Sequence, residues 1–496
     1  MPEVIDLGDV TVPGDFFVER ASPSRTEFVP STPDDAGIRH TFTYLGGGSR
    51  IRDDLIELID GASRKVFVAS FFIGDDALRE ALYRAAERLT GGVYVISAMT
   101  DRDLDKAINE VDEDAQVDKQ LERKRFEDLT RHGIAVRAYE GCHAKFAVID
   151  DRVALVSSAN LMTRAFEQTG ENGVVVDVPA HVDRLARFFA VLWQEAQWEM
   201  PLTESPVVTR IARTHRSKVA LPAADPDAVG PIWTFDDQHL IKDAIASVIA
   251  SARTELLLAT YSLVGIARRP DLLLDHVRAA VERGVRVRML LRGSSRFLAD
   301  AGVLADVGVD IYPCLLNHAK GLIADRRRGA LFSANYDAVH GIEEGVEAGF
   351  RLDGTSALAE ALRYFEQAMA ERDLDFLRNP HAAALAGRTF ASTVSKWPLP
   401  ATLEVMAEDA AWDALKGVSG PTIFHAAEGV VLLSRGRRTW RLDVSRDPAT
   451  PAKLVVESQR ERTAAGDRLR SWLTERRTDG SGGRGICAAV FRRAGN

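Results

Sequence analysis

Two stretches of the chain repeat one succession of apolar and polar positions. Apolar residues at helical spacing predict a helix over Ile51 to Ala62 and another over Leu240 to Ala252. Each leads into an apolar run of strand length, Val66 to Phe72 (VFVASFF) and Leu256 to Ser262 (LLLATYS). A second helix follows in each stretch, Asp76 to Leu89 and Pro270 to Arg283, ending at Gly91 and Gly92 or at Gly284, which suit a left-handed C-terminal cap. Strands return at Val93 to Ala98 and Val285 to Leu291. Strands alternating with helices predict an α/β fold with a largely parallel sheet, once in each half.

The first half carries an additional charged segment, Asp101 to Glu127, with no apolar stripe, which reads as an exposed helix. A linker with five prolines, Pro201 to Pro231, joins the halves and is locally basic through Arg210, Arg213, Arg216 and Lys218. A weaker boundary lies between Arg378 and Pro400. Beyond it, Thr422 to Ala426, Val430 to Ser434, Thr439 to Val444 and Lys453 to Glu457 read as strands, followed by a helix over Thr463 to Arg477 and a last strand at Ile486 to Phe491. The expected layout is an N-terminal extension (1–45), a first half (46–200), the linker (201–231), a second half (232–378) and a small basic α+β module (396–496).

At 496 residues, several domains are expected. Three cysteines, Cys142, Cys314 and Cys487, are too few and too scattered for a disulfide framework or a cysteine-based metal site. The first residues lack a basic segment followed by an apolar one, and no apolar run approaches 18 residues. A cytoplasmic protein is therefore expected, and the Arg- and Ala-rich composition fits a GC-rich bacterial genome. The net charge of −9 argues against a general nucleic-acid coat, but Pro421 to Asn496 hold 15 basic against 8 acidic residues, leaving −16 on the remainder. A basic end suits an anionic partner.

The repeat is sharpest where it carries chemistry. His143, Lys145, Asp150, Ser158 and Asn160 recur as His318, Lys320, Asp325, Ser333 and Asn335, at a constant offset of 175. Glu171 and Glu347 follow at an offset of 176, each opening an apolar stretch. On a strand, His143 and Lys145 would share one face, as would His318 and Lys320. A phosphodiester is an anion that repels nucleophiles, so its cleavage requires charge neutralisation, which Lys145 and Lys320 supply as ammonium groups. Asn160, Asn335, Ser158 and Ser333 are candidate hydrogen-bond donors to the phosphoryl oxygens. Imidazoles titrate near neutrality, so one can attack while another donates a proton. One half offers one such histidine; two halves facing each other offer the pair. Lysine is not a usual metal ligand and the spacing matches no zinc pattern, so neither metal nor cofactor is expected.

His-x-Lys-x4-Asp followed by Ser-x-Asn resembles the signature of the phospholipase D superfamily, and the doubled pattern spans roughly residues 45 to 375. The resemblance implies two α/β sandwich halves related by a pseudo-two-fold, with one active site at their interface. It implies a phosphohistidine intermediate resolved by water or an alcohol, with His143 as nucleophile and His318 as general acid. It also implies phosphate contacts from Lys145, Lys320, Asn160 and Asn335, and imidazole orientation by Glu171 and Glu347. Asp150 and Asp325 complete the motif as structural organisers. One departure concerns the glycine usual before the serine: here Ser157 and the bulky Phe332 stand in its place, and Phe332 is expected to narrow the pocket or shift the backbone.

Superfamily members include nucleases, lipases and lipid synthases. The basic C-terminal stretch, with Trp440 and Trp472 as potential base-stacking surfaces, favours a nuclease on DNA or RNA, in bacterial defence or repair, with a partner ATPase or helicase as a candidate to deliver substrate. Phospholipid cleavage or phosphatidyl transfer is the alternative, and a catalytically inactive nucleic-acid-binding scaffold a third. The sequence leaves the oligomeric state open.

Overall fold

The computed structural model describes residues 14–20, 25–30, 37–98, 119–203, 206–212, 220–337, 341–381, 384 and 389–392, together with strands at 401–406, 423–427, 430–435, 438–443 and 487–493. The chain divides into two units. Residues 24–292 and 300–372 form the larger, and residues 1–23, 293–299 and 373–496 the smaller.

The larger unit contains both copies of the repeat, each built on its own sheet. The first sheet runs in the order Thr209–Arg210, Trp198–Met200, Ala135–Ala138, Val93–Ser97, Val66–Ala69, Phe146–Ile149, Val153–Ser157, Glu171–Val176, Ile38–Thr43. The second runs Gln238–His239, Gly230–Phe235, Glu347–Arg351, Arg328–Phe332, Gly321–Ala324, Glu255–Thr260, Arg286–Arg292, Asp310–Cys314. The α/β class agrees with the hydrophobic pattern, but the sheets are mixed rather than largely parallel. In each, two junctions are parallel and the others antiparallel. The motif supplies one of the antiparallel junctions in each sheet. Asp150 and Asp151 both have positive φ (56° and 53°), as do Asp325 and Arg326 (48° and 61°). Two successive left-handed residues make the tight turn whose twist suits a β-hairpin, so each motif strand folds back on its neighbour.

Helix burial follows the expected periodicity. In Arg50–Asp60 the buried apolar positions are Ile51, Leu55 and Ile59, four residues apart. Asp75 caps Asp76–Arg88 by accepting from the Leu78 amide (3.0 Å), and Thr355 caps Ser356–Ala370 through Leu358. Gly284 adopts φ 85° at the end of Leu274–Glu282, as its cap position requires. Of the segment expected as an exposed helix, the C-terminal part lies in the helix Lys119–Arg131, with Phe126 and Leu129 buried; residues 99–118 lie outside the described ones.

The two halves share one core. Phe188, on the first half's helix Pro179–Glu195, stacks on Trp233 of the second (4.9 Å between centroids). Tyr364, on the second half's last helix, donates its hydroxyl to the Thr43 carbonyl of the first (2.9 Å). Each such buried ring contributes on the order of 2–3 kcal/mol, so neither half is complete without the other.

In the smaller unit the described strands form one antiparallel sheet in the order Leu374–Arg378, Asp15–Glu19, Thr389–Ser392, Ala401–Met406, Cys487–Arg493, Arg438–Asp443, Val430–Arg435, Ile423–Ala427. The strand Asp15–Glu19 thus joins the C-terminal strands, with Phe16 packed on Phe390, while Ile38–Thr43 joins the first half, so the N-terminal extension is divided between the two units. The strand expected at Lys453 to Glu457, the helix expected over Thr463 to Arg477 and Trp472 lie outside the described residues.

Candidate active site

Each motif reaches its strand from an extended approach. Residues 143–145 and 318–320 precede the strands Phe146–Ile149 and Gly321–Ala324 rather than lying within them. Their backbones are bonded instead to the opposite half. The His143 amide donates to the Val346 carbonyl (2.9 Å), and the His318 amide to the Gly170 carbonyl (2.9 Å). Val346 and Gly170 return the contact through Gly141 and Leu316. Val346 immediately precedes Glu347, and Gly170 immediately precedes Glu171. The stitching therefore sets each glutamate against the histidine of the other half.

The result is a crossed pair. His143 Nδ1 lies 2.7 Å from Glu347 Oε1, and His318 Nδ1 lies 2.7 Å from Glu171 Oε1. A carboxylate at Nδ1 selects the tautomer protonated there and leaves Nε2 with its lone pair. Both glutamates are buried. Burial pushes their carboxyls up, but the charge and hydrogen bond of the facing imidazole, the nearby lysine and a serine hydroxyl outweigh it and hold both below the usual range. Those serines are Ser158, donating to Glu171 (2.5 Å), and Ser333, donating to Glu347. The serine hydroxyls therefore lie behind the glutamates rather than directed at a phosphate.

Lys145 and Lys320 are buried beside the histidines, and each ammonium donates to the carbonyl of its own histidine, two residues back (2.6 Å in both). Lys320 Nζ also lies 3.1 Å from His318 Nδ1. Burial pushes Lys320 down to about 7, partly opposed by Glu171 and aided by the charge of Lys145. The charge of Lys145 thus acts on both Lys320 and His318. Burial likewise pushes His318 down to about 4, against the raising effect of Glu171. Asn160 and Asn335 each keep a buried side-chain oxygen with no hydrogen-bond partner among the described residues, at matching positions.

Asp150 and Asp325 belong to the scaffold. Asp150 accepts from the Ser63, Arg64 and Lys65 amides and the Ser63 hydroxyl; Asp325 accepts from the Arg253, Thr254 and Glu255 amides and the Thr254 hydroxyl. Burial alone would raise both carboxyls, but these donors hold each at about 2. Seven residues of extended chain, about 20 Å, separate each aspartate from its histidine. Among the described residues no group of three or more His, Cys, Asp or Glu side chains is arranged to hold a metal ion. Among them, too, no helix is long and apolar enough to cross a membrane.

The sequence profile of the PLD-like domain of cardiolipin synthase matches residues 55–193 and 245–369, more than half of the chain and both motifs. The chain belongs to the phospholipase D superfamily. No curated protein sequence matches it. Similar solved structures include the phosphatidylserine synthase of Haemophilus influenzae (16% identity, 72% of this chain and 90% of that one, TM-score 0.49). They also include the phospholipase D family member Nuc of Salmonella typhimurium (16%, 32% and 95%, 0.26) and the polyphosphate kinase of Porphyromonas gingivalis (14%, 63% and 47%, 0.41).

This superfamily member resolves its missing glycine in an instructive way. Ser157 pairs across the sheet with Gly173, and Phe332 with Gly349. A Cβ on Gly349 would lie 2.6 Å from Phe332 Cβ, and one on Gly173 2.7 Å from Ser157 Cβ. The small residue of each pair stands on the partner strand. Phe332 is buried edge-on against Tyr336 (5.8 Å). Sequence reasoning missed two aromatic neighbours of the histidines. Phe71 lies 5.4 Å from His143, and Tyr261 lies 4.9 Å from His318, centroid to centroid. Both sit two residues past aligned alanines, Ala69 and Ala259, so the repeat itself held the signal.

Proposed function

We propose that this protein cleaves or transfers phosphodiesters through a covalent phosphohistidine, without a metal. The crossed His–Glu pairs carry this reading: each fixes Nδ1 of one imidazole on a buried carboxylate, so that Nε2 is the nitrogen that attacks in the nucleophile and, once protonated, donates in its partner acid. His143 Nε2 attacks phosphorus and the P–O bond to the leaving alcohol breaks. The departing oxygen takes a proton from His318. Lys145 and Lys320 neutralise the phosphoryl oxygens, and the Asn160 and Asn335 amides complete their hydrogen bonding. The anionic substrate raises the proton affinity of His318 above its low value in the free cleft, which arms it as the acid when substrate enters. Water or an alcohol then attacks phosphorus, gives its proton to His318 and returns the N–P electron pair to His143.

Nucleic acid as substrate is supported by the basic stretch Pro421 to Asn496, and phospholipid by the apolar cluster of Phe71, Phe72, Ala98 and Met162 beside His143. Turnover of bis(p-nitrophenyl) phosphate in EDTA tests the chemistry. The expected result is activity in the parent and none in His143→Ala or His318→Ala, with a mass increase on His143 in acid-free quench of a slow substrate. Activity that survives both substitutions, or that EDTA abolishes, would overturn the reading.

A further inference from the structure

The two halves can be aligned through their own strand pairing. Ala69 pairs with both Phe146 and Ile96, and Ala259 pairs with both Gly321 and Leu290. Phe146 and Gly321 occupy the same motif position, so Ala69 corresponds to Ala259, an offset of 259 − 69 = 190. The same offset runs through the preceding helices without a gap. Ile51, Leu55 and Ile59 are buried in one, and Ile241, Ile245 and Ile249 in the other. Arg52 therefore corresponds to Lys242. Four residues ahead of the orienting glutamates, Glu167 corresponds to Glu343.

These four side chains form two ion pairs at equivalent places. Arg52 donates to Glu167 Oε1 (2.7 Å), and Lys242 donates to Glu343 Oε1. A fully buried apolar residue stands immediately before each carboxylate, Phe166 in one half and Ile342 in the other. Three residues after each carboxylate comes the stitch to the opposite half, Gly170 or Val346, and then the orienting glutamate. The order of apolar anchor, carboxylate, stitch and glutamate is thus kept, although one segment is a short helix, Thr163–Glu167, and the other is irregular. The surroundings of the pairs are not kept. Arg52 also lies 3.5 Å from Asp75, whereas Glu343 also accepts from Arg269 (2.8 Å). What the halves share is a cation on the helix ahead of the central strand, holding the carboxylate four residues before the glutamate.

Resting on the phosphohistidine reading, we infer that these ion pairs are positioning residues that act across the pseudo-two-fold: Lys242–Glu343 in the second half sets the imidazole of His143, and Arg52–Glu167 in the first half sets that of His318. Tying Glu343 to the helix Leu240–Ser251 fixes the backbone that places Val346 on the His143 amide and Glu347 on His143 Nδ1. Tying Glu167 to the helix Arg50–Asp60 does the same for Gly170, the His318 amide and Glu171. Each tethered path contains a glycine. Gly345, at φ 80°, lies between Glu343 and Val346, and Gly170 is itself a stitch; glycine leaves backbone loose unless its neighbours are held. An ion pair partly open to water adds little to stability, so these pairs serve poorly as general braces. Holding a catalytic imidazole in register needs only a small local bias, because rate is sensitive to small misplacements.

Imidazole ¹⁵N spectra of the full chain read each histidine without turnover, with His143→Ala and His318→Ala assigning the signals. Glu343→Gln is expected to shift the His143 signals and leave those of His318 in place; Glu167→Gln is expected to do the reverse. On bis(p-nitrophenyl) phosphate in EDTA, Glu343→Gln should lower kcat about threefold, with KM and the melting temperature little changed. Lys242→Met should match it, and the double substitution should be no worse than either single one, because all three remove one interaction. Lys242→Arg keeps a cation at the position, as Arg52 does in the first half, and should retain the parent values. Shifts at both histidines, a shift at the histidine of the same half, an unchanged kcat or additive losses in the double substitution would overturn the inference. Crossed shifts in a parent that does not turn over the diester would support the positioning and overturn the phosphohistidine reading beneath it.

Discussion

Around His143 the flanking residues are Phe71, Phe72, Ala98 and Met162; around His318 the corresponding positions hold Tyr261, Ser262, Arg292 and Asp337. Behind these surfaces the halves agree closely. Both bury a serine on a glutamate, both cross that glutamate to the other half's histidine, and both close the motif hairpin on a left-handed aspartate. The difference separates two demands on the duplicated fold. Everything that sets the charge, tautomer or position of an imidazole is held in common. What flanks each imidazole differs, apolar beside His143 and polar beside His318.

The strongest way to break this comparison is to remove one histidine. If the halves worked independently, His143→Ala or His318→Ala would leave about half the activity. A shared site predicts a loss of at least about 10³-fold from either, with the melting temperature little changed, measured on a small phosphodiester in EDTA.

The crossed glutamates give a finer cut. Glu347→Gln is expected to slow formation of the covalent intermediate on His143 by about 10–100-fold, although Glu347 lies in the other half. Glu171→Gln should act on the proton donated by His318, so it should slow substrates with poor leaving groups more than p-nitrophenyl esters, which need little protonation. Rapid-quench kinetics on the two substrate types reads both effects. If Glu347→Gln and Glu171→Gln proved indistinguishable, the crossed geometry would not be setting separate roles.

Much of this was legible in the sequence because side-chain identity and spacing were enough. The duplication, the α/β class and the grouping of His143, Lys145, Glu171, His318, Lys320 and Glu347 needed no coordinates. The crossing of the pairs depends on Gly170 and Val346 bonding to the opposite half, a contact between segments roughly 150–200 residues apart that leaves no local pattern. The hairpin was hidden for another reason. An Asp-Asp or Asp-Arg turn is not the usual Asn-Gly or Asp-Gly signal, and the parallel reading came from the strands alternating with helices ahead of it. The room for Phe332 was not legible because Gly349, which faces it, lies on a neighbouring strand.

Titration of Lys320 should separate activity from stability. Burial holds this amine at about 7 against 10.5 for an ordinary lysine. As pH rises through 7 the ammonium is lost, so kcat/KM should fall by up to about tenfold on the alkaline side. Stability should move the other way. Between about 7 and 10.5 the unfolded chain holds a proton that the folded chain lacks, so this residue makes the fold more stable as pH rises. Lys320→Arg keeps its charge throughout and should flatten the alkaline limb of activity. A pH profile that the substitution leaves unchanged would assign that limb to another group.

The smallest effects belong to Asp150 and Asp325, where the halves are most alike. Each carboxylate collects three backbone amides and one hydroxyl from the turn between a helix and the central strand of its sheet. Asp150→Ala and Asp325→Ala should each lower stability by about 1–2 kcal/mol, a modest figure because the turns are partly open to water, while kcat changes by less than about twofold. The two turns share no partner, so the double substitution should add to within about 0.5 kcal/mol. The carboxylates sit at about 2 in the fold against an ordinary 3.8, so their contribution is fully present above 3.8 and is lost as pH falls through about 2. Denaturant midpoints at pH 7 and pH 3 check the sign. A large drop in kcat at unchanged stability would instead place these aspartates in the chemistry, despite about 20 Å of extended chain between each of them and its histidine.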